Sequence, residues 1–175
     1  MHFVLDEDLV YMVTHLKGAH TFFLPFNKGY NGEAGNPPSE GFATAYLWKE
    51  ALQRDSFLEF LKQFIQVTDV LDEDGKPTGE KILISPRYQQ RDAVRELVAH
   101  VKEHSCGNQY LVQHSAGSGK SNTISWLAHQ LSNLHDKNNQ NVFDSVIVVT
   151  AGGRLTDSSG RMSLPLNKIR ELLQA

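Results

Sequence analysis

The stretch Gln113-His114-Ser115-Ala116-Gly117-Ser118-Gly119-Lys120-Ser121 decides how this 175-residue chain is read. It follows an apolar run, Tyr110-Leu111-Val112, which reads as a short strand. It precedes a segment, Lys120 to Leu134, that places Ile124, Leu127, Ala128, Leu131 and Leu134 on one helical stripe. Strand, glycine-rich turn, Lys-Ser and amphipathic helix in that order make a phosphate-binding loop, whose full pattern is Gly-x-x-x-x-Gly-Lys-Ser/Thr. His114 stands at the first glycine position, and histidine is among the non-glycine residues that more readily accept unusual backbone angles. Glycines let backbone N–H groups approach an anion, and the N-terminal end of the helix adds its dipole. Ser115, Ala116, Gly117, Ser118 and Gly119 are therefore assigned to a nucleoside triphosphate, Lys120 to its β- and γ-phosphates, and the Ser121 hydroxyl to Mg2+.

On either side of the loop, strand and helix patterns alternate. A helix is predicted from Tyr88 to His104, with Val94, Leu97, Val98 and Val101 on one stripe, and Val146-Ile147-Val148-Val149 reads as a buried parallel strand. This alternation predicts an α/β fold with a parallel P-loop sheet. After Thr150 the pattern weakens into a glycine- and serine-rich loop before a short amphipathic helix, Leu166 to Leu173. The N-terminal part is of another kind. Val10 to Thr14 and Thr21 to Pro25 are β-rich runs that suggest a hairpin through Lys17-Gly18. From Asn27 to Gly41 four glycines and two prolines predict an irregular loop. Helices are predicted from Phe42 to Gln53 and from Ser56 to Ile65, the second with Asp55 as N-cap and Phe57, Phe60, Leu61 and Phe64 on one face. Asp72 to Gly79 reads as a turn between two strands, the later one ending in Lys81-Ile82-Leu83-Ile84. The domain boundary is placed here, giving domains 1–79 and 80–175.

Hydrophobic residues make up 40% and charged residues 21% of the chain, with a formal net charge of −3. No global basic field points to nucleic acid, although a local basic groove is compatible with this balance. The lone Cys106 excludes an internal disulfide framework and fits a reducing compartment. No apolar run approaches the roughly 18 residues of a membrane span, and Met1-His2-Phe3 opens without a signal-peptide pattern. The expectation is a cytoplasmic protein with no membrane partner.

Arg87-Tyr88-Gln89-Gln90-Arg91-Asp92-Ala93 resembles the adenine-holding segment of superfamily 2 helicases, in which an aromatic ring stacks on the base and a glutamine reads its edge; Tyr88 and Gln90 occupy those positions. The wider chain resembles the restriction (motor) subunit of type I restriction-modification enzymes. The resembling segments are Phe23-Leu24-Pro25-Phe26-Asn27-Lys28-Gly29, Ala34-Gly35-Asn36-Pro37-Pro38, Tyr46-Leu47-Trp48, Gln53-Arg54-Asp55-Ser56, Pro86-Arg87-Tyr88-x-Gln90, Gln113 to Ser121 and Phe143 to Thr150, in family order. The resemblance implies ATP and Mg2+ as cofactors, two RecA-like lobes that translocate double-stranded DNA, a nuclease domain ahead of them, and methyltransferase and specificity subunits as partners. It implies that residues 1–79 are the rear of the nuclease domain and its connector, an α+β remnant, and that residues 80–175 are an incomplete first RecA-like lobe.

The family's nuclease motif, an aspartate followed by Glu/Gln-x-Lys, should precede anything like Tyr11-Met12-Val13-Thr14, and after Thr150 the chain departs from the family's next motif. The expectation is a truncated or frameshifted product that retains ATP-binding elements and lacks the nuclease and hydrolysis motifs. The alternatives are a stand-alone nucleotide-binding or regulatory protein without catalysis, and a folding remnant that binds nothing. Asp6-Glu7-Asp8 and Asp72-Glu73-Asp74 imitate the Asp-Glu box that holds Mg2+ and orients the attacking water, but both precede the loop. His100, His104 and Cys106 have zinc-like spacing without a fourth ligand and are read as structural. Arg87, Arg91 and Arg95 alternate with Asp92 and Glu96 and are read as an exposed helix face.

Overall fold

The alternation at Val10–Val13, with Val10 and Met12 buried and Tyr11 and Val13 half-buried, makes this strand (β2) the centre of a three-stranded antiparallel sheet. The computed structural model describes residues 1–149. The sheet has the order β1–β2–β3, with β1 at His2–Leu5 and β3 at Leu24–Pro25. Its registers run His2 to Val13, Leu5 to Val10 and Tyr11 to Pro25. The expected pairing of the two β-rich runs through Lys17-Gly18 is present, with a short 3-10 turn at Gly18–His20 between them. The described chain divides into two compact units, the first Met1–Arg91 and the second from Asp92 onward. The boundary read from composition, between 79 and 80, lies upstream of this division.

Within the loop read as irregular, residues 29–35 form a small hairpin. Asn31 and Gly32 have φ of 51° and 80°, the left-handed pair that a two-residue turn demands. Tyr30 and Glu33 exchange backbone hydrogen bonds of 3.1 and 2.9 Å, and Gly29 N–H donates to the Gly35 carbonyl at 2.8 Å. The helix expected from Phe42 to Gln53 is confined to one widened turn, Leu47–Ala51, closed by the Leu52 N–H on the Leu47 carbonyl at 2.7 Å. Tertiary bonds on its approach compete with a regular helix: the buried Thr44 hydroxyl donates to the Asp6 carbonyl, and the Tyr46 hydroxyl to the Phe26 carbonyl.

Helix α1 spans Arg54–Gln63, so its N-cap is Gln53 and not Asp55. Asp55 lies in the first turn, where a carboxylate complements the helix dipole. Its buried face centres on Phe60 and Phe64, while Leu61 is exposed, so the predicted stripe is rotated. Strands β4 (Gln66–Leu71) and β5 (Pro77–Ile84) form an antiparallel ribbon, as the sequence predicts. In its turn Asp72 Oδ1 accepts from the Asp74 and Lys76 N–H groups at 3.0 and 2.8 Å. That carboxylate organises a turn, which the Asp72 N–H on the Lys76 carbonyl and the Gly75 N–H on the Asp72 carbonyl close at 2.9 and 3.0 Å.

Helix α2 spans Tyr88–His104 as expected, with Val94 and Val101 buried. Helix α3 spans Lys120–Ser132, and its buried residues are Thr123, Trp126 and Gln130. The predicted stripe is displaced by one position, because the Trp126 indole supplies the largest apolar surface on the helix. Ile124 is exposed instead.

The mixed α/β composition stands, but all strand pairing among the described residues is antiparallel. Tyr110-Leu111-Val112 and Val146 to Val149, expected as parallel strands, are unpaired here, with Leu111, Ile147 and Val149 exposed by 92%, 81% and 88%. A parallel strand has no adjoining turn to hold it. It gains its bonds only between neighbouring strands with both faces covered.

Phe26 is 1% exposed and meets Phe3, Tyr88 and Phe60 edge-on at 5.3, 5.7 and 6.5 Å between ring centroids. Phe26→Ala is expected to lower stability by about 3–5 kcal/mol, measured by urea denaturation against the wild-type chain.

Candidate nucleotide-binding site

The loop ahead of α3 takes its form from two glycines. Gly117 and Gly119 have φ of 72° and 79°, a region that a side chain resists. His114 is not among the positive-φ residues, so its place at the first glycine position requires no unusual backbone. That corrects the expectation that histidine is tolerated there for its angular range. Ser118 N–H donates to the Ser115 carbonyl at 3.3 Å, a turn that brings the chain round to Gly119, the N-cap of α3. The Gly119 carbonyl accepts from Asn122 and Thr123 at 3.0 and 3.3 Å. The N–H groups of the first turn, beginning at Lys120, therefore belong to the helix end that attracts anions.

Lys120 lies across its own loop. Its Nζ donates to the Ser115 carbonyl at 2.9 Å and the His114 carbonyl at 3.3 Å. The ammonium thus holds the two ends of the turn together while remaining exposed, as Ser115, Ala116 and Gly117 are. Ser118, Gly119 and Ser121 are half-buried. Backbone N–H groups, the Lys120 ammonium and the Ser121 hydroxyl in sequence can chemically receive a polyphosphate and its divalent ion.

Tyr88 and Gln90 belong to the first unit, the loop to the second. The Tyr88 ring is half-buried, edge-on to Tyr46 at 5.1 Å and to Phe26 at 5.7 Å. Gln90 is buried, and its Oε1 accepts from the Arg87 N–H at 2.8 Å, which caps the first turn of α2. Its neighbour Gln89 is exposed and packs on Gly29: its Nε2 lies 2.7 Å from where a Cβ would stand at that glycine.

Around Tyr88 the first unit assembles residues to which the sequence reading gave no role. Lys28 Nζ bonds both oxygens of Glu50, at 2.9 and 2.7 Å, and lies 5.1 and 5.8 Å from the Tyr46 and Tyr88 ring centroids. Asn36 Oδ1 accepts from the Lys28 N–H at 2.9 Å, and its Nδ2 donates to the Asp8 carbonyl at 2.7 Å and to Asn27 Oδ1 at 3.0 Å. Partial burial pulls the Lys28 ammonium down, but the Glu50 hydrogen bond and the Glu50 and Tyr88 charges outweigh it and hold it above its ordinary value. Burial first, then the charge of Tyr88, pushes the Tyr46 phenol well above the usual range. No periodicity marks these residues.

Arg91 departs from the exposed face expected of it. It is 2% exposed, and its Nη2 donates to the Ser56 carbonyl at 3.0 Å and to the Ser56 hydroxyl at 2.5 Å, with Glu59 at 3.6 Å. An arginine can be buried where its guanidinium is hydrogen-bonded and paired, which the neighbouring helix α1 supplies. His100 and His104 stack at 4.0 Å, the first bonded to the Tyr110 hydroxyl at 2.8 Å and the second to the His100 carbonyl at 3.1 Å. Among the described residues no cluster of three or more metal-ligating side chains occurs, and no helix is long and apolar enough to cross a membrane. No family model, curated protein or solved structure matches this chain.

The Asp6-Glu7-Asp8 segment is also a turn. Asp6 Oδ1 accepts from the Leu9 and Asp8 N–H groups at 2.7 and 2.8 Å, and these two bonds, Leu9's first, hold its carboxyl below the ordinary value. A lowered folded pKa contributes stability that is present above the ordinary aspartate range and lost as pH falls through it. Asp6→Asn is expected to flatten the fall in melting temperature between about pH 5 and pH 3 relative to the wild-type chain, followed by circular dichroism.

Proposed function

We propose that this chain binds ATP with Mg2+ through Ser115 to Ser121, as part of the DNA-translocating restriction subunit of a type I restriction-modification enzyme. The observation that carries the reading is local. Left-handed backbone falls on Gly117 and Gly119 alone within the loop, α3 begins at Lys120, and the Lys120 ammonium braces the carbonyls of His114 and Ser115. Such a loop puts backbone donors and one cation next to each other at a helix start, which suits a triphosphate. The Ser121 hydroxyl would ligate the magnesium ion.

In this reading the loop belongs to an incomplete RecA-like lobe, and double-stranded DNA with the methyltransferase and specificity subunits are the parent assembly's partners. Downstream of Ser121 the sequence holds no adjacent Asp-Glu pair. On this reading these 175 residues hold ATP, and the carboxylates that orient the attacking water are not among them.

Calorimetric titration with ATP and Mg2+ tests this. Binding is expected, with a loss of at least about tenfold in affinity for Lys120→Ala, the scale of one charged contact. Phosphate release is expected at background. An absence of binding would overturn the proposal, and turnover that Lys120→Ala abolishes would overturn its non-hydrolysing part.

A further inference from the structure

We propose that His100 and His104 form an exchangeable site for a zinc-type transition-metal dication at the C-terminal end of α2, a site independent of the nucleotide reading. The two residues stand four apart on α2, the spacing that puts a pair of imidazoles on one helix face. Their rings stack at 4.0 Å between centroids and 14° from parallel, and both residues are exposed. Zinc bonds imidazole nitrogen at about 2.0–2.1 Å, so one ion joins nitrogens up to roughly 4 Å apart. The terminal torsion of histidine is soft, and a small turn of each ring lets the two lone pairs converge.

The hydrogen bonds determine which nitrogens face the ion. His104 Nδ1 lies 3.1 Å from the His100 carbonyl, and a carbonyl only accepts, so this nitrogen carries the proton. In the neutral ring the lone pair is then on Nε2. His100 Nδ1 lies 2.8 Å from the Tyr110 hydroxyl, whose oxygen can accept that ring's proton and leave its Nε2 as the second ligand. Among the described residues neither Nε2 has a hydrogen-bond partner. A metal-ligating histidine is ordinarily held in this way, with its other ring N–H on a carbonyl or a similar acceptor.

The charge at this end of α2 also suits a cation. The last carbonyls of the 17-residue helix carry the negative end of its dipole, while Lys102 and Glu103 in the same turn offset one another. Among the described residues no third side chain joins the pair in a metal cluster, so solvent completes the coordination and the ion exchanges. Two imidazoles suit zinc, nickel or copper and not magnesium, which prefers oxygen ligands. Tyr110 is a positioning residue in this site, since it acts on the ion only through His100.

The test titrates Zn2+ alone, without nucleotide, into the full chain and into His100→Ala, His104→Ala, Tyr110→Phe and Cys106→Ser, with calorimetry for binding and circular dichroism for fold. Wild type is expected to bind zinc, and each histidine variant to lose at least about tenfold in affinity, the scale of one weakened metal contact. Tyr110→Phe should lose less than either histidine variant, and Cys106→Ser should bind as wild type. Failure of wild type to bind zinc overturns the proposal, as does undiminished binding in either histidine variant. A loss in Cys106→Ser as large as in the histidine variants moves the ion to the thiol and overturns it too. Unchanged affinity in Tyr110→Phe overturns the assignment of His100 Nε2 as a ligand. If His104→Ala does not fold, His104→Gln is read by the same criterion.

Discussion

Phe26 is the residue on which the first unit depends, because ring and backbone are both committed. Its N–H donates to the Val10 carbonyl at 2.9 Å, which ties the chain leaving β3 to β2. Its carbonyl accepts the Tyr46 hydroxyl at 2.6 Å, which draws the widened turn Leu47–Ala51 inward. Its ring takes edge contacts from β1, α1 and the start of α2 through Phe3, Phe60 and Tyr88. A buried aromatic contributes through its large area and through edge-on geometry, so one position fixes several elements at once.

The polar layer around that ring is satisfied by a network. Asn27 Oδ1 accepts from the Val10 N–H at 2.8 Å and from Asn36 at 3.0 Å, and Asn36 spans Asp8 and Lys28. Such a network is stabilising only when its members find partners, since an unpaired buried amide costs about 1–3 kcal/mol. It explains why a glycine- and proline-rich loop is ordered at all. Asn31-Gly32 turns the chain, Asn36 closes it on Lys28, and Gln89 packs where Gly29 has no side chain.

Much of this was legible in the sequence, for reasons that differ by element. Helix α2 and the β4–β5 ribbon were readable because their signals are local: a continuous apolar stripe in one, a glycine turn between β-rich runs in the other. The glycine turn at Gly117–Gly119 and the helix start at Lys120 were readable because glycines before an amphipathic run mark such a turn locally. The hairpin at Tyr30 to Glu33 was also written locally, in Asn31-Gly32, but was obscured by the prolines and glycines around it. Arg91 was not legible. Interleaved acids on α2 suggested a solvated face, and only the Ser56 and Glu59 side of α1 reverses that. The same holds for Trp126, since periodicity says which residues share a face and not which of two adjacent faces a neighbour covers.

The sequence by itself determined the elements whose order depends on neighbours a few residues away: helices α1 to α3, the turn between β4 and β5, and a loop in which only Gly117 and Gly119 take the left-handed region. The tertiary structure alone decided burial and partnership. It made Gln90 a helix cap, made Lys28 and Glu50 a pair over two tyrosines, and left Leu111, Ile147 and Val149 outside any ladder. The physical reason is range. Backbone geometry and helical spacing act within one or two turns of chain, whereas a buried charge or a parallel strand is stable only when residues far away in sequence arrive beside it.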